Sequence, residues 1–102
     1  MKVMQRGIME ITPGKMAETM ELLEKYMAIL NRYEAPSMRR YTPFFGGGDA
    51  LHTIIFEVDW DSLSATEAFF EKVLADPDAQ ALMPKWEVVE ESHEVELYMP
   101  MP

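Results

Sequence analysis

The stretch Leu51-His52-Thr53-Ile54-Ile55-Phe56-Glu57-Val58-Asp59-Trp60 decides how this chain is read. Successive side chains of a strand point to opposite faces. His52, Ile54, Phe56, Val58 and Trp60 therefore share one face; Leu51, Thr53, Ile55, Glu57 and Asp59 share the other. One face is rich and the second is mixed, which predicts a central strand covered on both sides.

Working outward, Gly46-Gly47-Gly48-Asp49 reads as a turn, since glycine adopts left-handed backbone freely. No Lys-Ser or Lys-Thr follows it, so a hairpin loop is expected rather than a phosphate cradle. Ser37 to Phe45 reads as the strand before that turn. Pro43 cannot donate to a ladder, which predicts an edge strand or one that ends near Pro43. Upstream, Met16, Met20, Leu23, Met27 and Leu30 step by four and three, with Leu22, Tyr26, Ile29 and Tyr33 in a second stripe. These predict a helix from Pro13 to about Tyr33, with Thr12 as cap and its apolar side on a sheet. Lys2 to Ile11 reads as the first strand.

Downstream of Trp60, Ser64-Ala65-Thr66-Glu67 reads as a capping box opening a second helix to about Ala75. Asp76-Pro77 opens a short helix to about Met83, which Pro84 ends. Val88 to Met99 reads as the last strand. The expected fold class is α+β: a ferredoxin-like βαββαβ order, with a four-stranded antiparallel sheet and helices on one face. Residues 1–102 form one domain. The sheet face without helices keeps apolar groups, so a homodimer that pairs sheet on sheet is expected.

Composition narrows the function classes. The 102 residues carry a formal net charge of −9, which disfavours nucleic acid and anionic membrane surfaces as partners. Cysteine is absent, which excludes disulfides and thiolate chemistry and fits a cytoplasmic setting. The segment Met1 to Arg6 has no apolar run of the signal-peptide kind, and no run is long enough for a spanning helix. Ten methionines fit an adaptable core, an interface or a ligand cavity.

Candidate chemistry is sparse. His52 and His93 are the two histidines, each on the apolar-facing side of its strand, and imidazole is suited to proton transfer near neutral pH. Arg6, Arg39 and Arg40 stand out in an acidic chain; Arg6 with Arg39 or Arg40 can grip a carboxylate or enolate, or simply pair with the surplus Glu and Asp. Tyr41, Phe44, Phe45, Phe56, Trp60 and Trp86 are either pocket wall or core. Glu57, Asp59 and Asp61 read as a solvated rim, and no metal site is expected.

The Ile11-Thr12-Pro13-Gly14 corner and the stretch from Trp60-x-Ser62 to Asp76-Pro77 resemble the dimeric α+β barrel superfamily. Within it the chain is similar to NIPSNAP-like and antibiotic-biosynthesis-monooxygenase-like domains. That resemblance implies two sheets paired into a barrel and a cavity between helices and sheet in each subunit. Members of that superfamily include cofactor-independent oxygenases, haem-degrading oxygenases, isomerases and many proteins with no assigned activity. The monooxygenase and haem-degrading members carry an Asn on the first strand, where this chain offers Arg6. Trp60 can play their Trp. The second helix carries Phe69 and Phe70 where haem enzymes have a His, which disfavours haem degradation. The expectation is a homodimer binding a small hydrophobic or aromatic compound without a cofactor, as an oxygenase or isomerase, or else a non-catalytic sensing or interaction module. His52, His93 and Arg6 are its candidate catalytic residues, and Arg40, Tyr41, Phe56 and Trp60 its candidate pocket.

Overall fold

A computed structural model describes residues 1–46 and 48–102; Gly47, in the expected glycine turn, lies outside the described residues. The elements follow in the order β1 (Val3–Ile11), α1 (Met16–Arg32), β2 (Met38–Tyr41), β3 (Thr53–Trp60), α2 (Leu63–Ala75), α3 (Pro77–Val89) and β4 (Glu90–Tyr98). The sheet is antiparallel in the order β2-β3-β1-β4. β3 is central and β2 is an edge strand that ends before Pro43, as its sequence predicts.

The register sorts the side chains. Phe56 pairs with Gly7 and Trp60 with Val3 across β1 and β3, while His93 pairs with Met9 across β1 and β4. This odd-numbered face of β1 carries the helices. Val3, Val58 and Trp60 are buried there with Leu22, Leu30, Phe69 and Val73. Met9, Ile11, Ile54 and Phe56 form a second cluster with Leu23. Trp60 sits 5.1 Å from the Phe69 ring and 5.7 Å from Phe70, and its Nε1 donates to Gln5 Oε1 at 2.9 Å. A buried indole thus satisfies its donor while locking α2 to the sheet.

Three helix boundaries differ from the sequence expectation. α1 begins at Met16 because Gly14 takes a left-handed φ of 85°, so the chain turns once more before winding. Its N-cap is Lys15 and not Thr12, whose N–H instead donates to the Val89 carbonyl. α2 is capped by Ser62, whose Oγ accepts from Ala65 N–H, so the helix opens before Ser64. α3 runs through Pro84 to Val89. Pro84 faces outward, while Ala79, Leu82, Trp86 and Val89 continue one stripe by three and four, and their burial outweighs the missing hydrogen bond.

The helix layer is held together at Asp76. This buried carboxylate accepts from Asp78 N–H and Ala79 N–H, capping α3. It also accepts from the Tyr33 hydroxyl at 2.5 Å and from Arg32 at 3.3 Å, at the end of α1. The Tyr33 hydrogen bond, with the two N–H groups and Arg32, holds Asp76 below its ordinary value. A depressed carboxyl contributes stability that is complete above the usual carboxylate range and is lost as pH falls through the depressed value. Asp76→Ala is expected to lower Tm by about 5 °C at neutral pH, with the deficit shrinking in acid, measured by thermal unfolding across pH.

Candidate functional site

The helices do not close fully onto the sheet. A cavity of about 410 Å³ lies between them, and all seven elements reach it. The floor is Gln5, Gly7 and Met9 of β1 with Phe56 and Val58 of β3. Leu23, Tyr26 and Met27 of α1 form one wall; Phe70, Val73 and Leu74 of α2 form another. Met38 contributes from β2. α3 gives Ala79, Met83, Trp86 and Glu87, and the start of β4 gives Glu90, His93 and Val95. Tyr26 and Trp86 meet edge to face with centroids 6.2 Å apart. The interior is mostly apolar with a few convergent polar groups, the usual make-up of a small-molecule site.

The polar groups gather toward β4. A Cβ on Gly7 would sit 3.3 Å from His93 Nε2. The missing side chain is what lets the imidazole lie across β1. His93 Nδ1 faces Glu90 Oε2 at 3.8 Å, beyond hydrogen-bond range. The Glu90 side chain is only 19% exposed, against 40% for His93. Burial raises the Glu90 carboxyl above its ordinary value, with His93 pulling the other way. Burial also raises the Tyr26 phenol. Among the described residues that line the cavity there is no lysine or arginine.

The candidate residues fall in different places. His93 and Phe56 line this cavity, and Trp86 joins them. Trp60 stands beside it, bonded to the lining residue Gln5. His52 precedes β3 in the turn, where its Nδ1 meets Asp49 Oδ2 at 2.6 Å, apart from His93. Arg6 has the opposite parity to Gln5 and Gly7, so it lies on the helix-free face, where it donates to Glu57 at 2.8 Å. Its guanidinium also lies 5.3 Å from the Tyr98 ring centroid. Arg39 bonds Asp59 at 2.9 Å on the same face and reaches Glu57 at 3.5 Å. Tyr41 belongs to this face too, by its pairing with Ile55. Arg40 is exposed on the short edge strand. Phe44 and Phe45 are fully exposed and do not line this cavity. Among the described residues no group of three metal-ligating side chains gathers.

Gln5, Gly7, Tyr26 and Glu90 were not singled out from sequence. Gly7 left a trace, a glycine inside an apolar strand, which marks close approach. Gln5 and Glu90 left none, because their role depends on partners 55 and 3 residues away.

No family model matches the chain, and no curated protein matches it. Solved structures do. A NIPSNAP family protein from Agrobacterium tumefaciens is 22% identical with a TM-score of 0.83, over 99% of this chain and 94% of its own. An uncharacterized NIPSNAP domain protein from Burkholderia xenovorans is 26% identical with a TM-score of 0.78, over 99% and 95%. SnoaB, a cofactor-independent oxygenase from Streptomyces nogalater, is 12% identical with a TM-score of 0.69, over 99% and 94%.

Gly7→Val is expected to push the His93 ring outward and shrink the cavity, seen as a shifted His93 imidazole signal by NMR. Glu90 generates a second expectation. A carboxyl raised in the folded state favours folding below its unfolded value, and that benefit is lost as pH rises through the raised value. Glu90→Gln should remove this slope, leaving unfolding midpoints in urea flatter between the usual carboxylate range and neutrality.

Proposed function

We propose that this chain, which shares the fold of NIPSNAP-family and antibiotic-biosynthesis-monooxygenase-like proteins, is a small-molecule-binding homodimer, each copy holding a small hydrophobic or aromatic compound between its helices and its sheet. The observation that carries this reading is the 410 Å³ cavity, which opens onto His93 beside Gly7. Apolar walls supply affinity, and Gln5, Tyr26 and His93 supply orientation.

Pairing follows from shape. The described chain measures 39 × 36 × 18 Å, with a radius of gyration of 14.1 Å where a compact chain of this length has about 13 Å. One sheet and one helix layer make a slab with a bare sheet face. Met4, Ile8 and Ile55 are half-buried on that face, among the Arg6, Glu57, Arg39 and Asp59 charges. Cross-strand partners Ile8 and Ile55 mark its centre. Such a face suits a second copy, apolar at the centre and charged around it.

His93 can accept a proton from a bound compound, which is the chemistry of a cofactor-independent oxygenase or isomerase. A second reading is a non-catalytic sensor. It is favoured by the placement of Arg6, Arg39 and Arg40 outside the cavity lining, which leaves no lysine or arginine among the described lining residues to stabilise a developing anion. Native mass spectrometry tests the reading. A dimer that carries or takes up a small hydrophobic compound is expected; a stable monomer overturns the pairing, and a dimer that takes up none overturns the cavity. Ile8→Glu should yield a monomer. If the ligand is recovered chemically changed the oxygenase or isomerase reading holds; if unchanged, the sensor reading does.

A further inference from the structure

The cavity has a charge character that its apolar walls conceal. Among the described residues the titratable groups facing it are Tyr26 from α1, Glu87 and Glu90 from α3 and the α3–β4 junction, and His93 from β4; β1, β2, β3 and α2 contribute none. Two of the four are carboxyl groups. Glu87 is exposed at the rim, whereas Glu90 is mostly buried. Among the described residues Glu90 has no lysine or arginine within ion-pair distance, and its one ion-pair contact is with His93, at 3.8 Å. Every arginine of the sheet is engaged elsewhere or lies outside the cavity.

A half-buried carboxylate without a partner is unfavourable, and a ligand that brings the missing cation relieves it. The aromatic walls add to this. Phe56, Phe70, Tyr26 and Trp86 line the cavity, and aromatic rings attract a positive group. The chain's net charge of −9 raises the local concentration of cations and lowers that of anions. Resting on the reading of the cavity as a ligand site, we propose that its ligand class is a hydrophobic amine carried as an ammonium ion, with Glu90 as the counter-ion and the aromatic walls around the apolar body. The ammonium donates hydrogen bonds to the Glu90 carboxylate and brings the opposite charge, an ion pair that a neutral or anionic analogue does not make.

Three fluorescent probes of one ring system separate the possibilities: naphthylethylamine, naphthylethanol and naphthylacetate, titrated into the purified protein at neutral pH. The amine is expected to bind about tenfold tighter than the alcohol, and the acetate weakest. Glu90→Gln should bring the amine to the alcohol's affinity and leave the alcohol unchanged; Glu87→Gln, at the rim, should retain most of the preference. Equal binding of amine and alcohol to the unaltered protein overturns the amine assignment and leaves the cavity reading standing. Loss of the preference in Glu87→Gln with its retention in Glu90→Gln overturns Glu90 as counter-ion. Failure of all three probes to bind overturns the cavity reading and this inference together.

Discussion

The cavity exists because the helices are tied to each other as well as to the sheet, and Asp76 is the tie. A helix layer free to settle would sink onto the sheet and fill the space with Met27, Phe70 and Met83. Asp76 joins the end of α1, through Tyr33 and Arg32, to the first turn of α3, and it does so at the junction with α2. The three helices are thereby joined into one plate. Trp60 fixes that plate against β3 through Phe69 and Phe70. Between these two anchors the plate bridges the floor around Gly7, and the gap persists.

The fold was legible where one periodicity ruled a whole element. The alternation from Thr53 to Trp60 placed β3 at the centre with Ile54, Phe56, Val58 and Trp60 inward. The two stripes of α1 placed Leu23, Leu30 and Ile29 in the core. Reading failed where a strong local signal met a weaker distributed one. Pro84 reads as a stop, yet the stripe Ala79, Leu82, Trp86, Val89 carries α3 another turn and a half. Ser64-x-x-Glu67 matches a capping box, yet Ser62 is the cap because the chain leaves β3 in extended backbone there.

The site was less legible than the fold for a physical reason. A cavity has no period of its own; it is what several periodic elements leave unfilled. Phe56, Trp86 and His93 could be named because their chemistry is conspicuous. Gln5 and Glu90 are ordinary residues that acquire meaning from Trp60 and His93. Arg6 shows the converse, since strand parity alone sends it to the face that carries Glu57, away from its neighbour Gln5.

Met9, Met27, Met38 and Met83 reach the cavity from four different elements. A thioether chain bends at little cost, so these walls conform to the outline of a guest and discriminate poorly by shape. Selectivity then falls on the few fixed polar points. The same sulfurs also give the chamber a chemical lifetime. Oxidation to the sulfoxide plants a polar oxygen in the lining, and a chamber so altered loses its affinity for apolar guests until a reductase restores it.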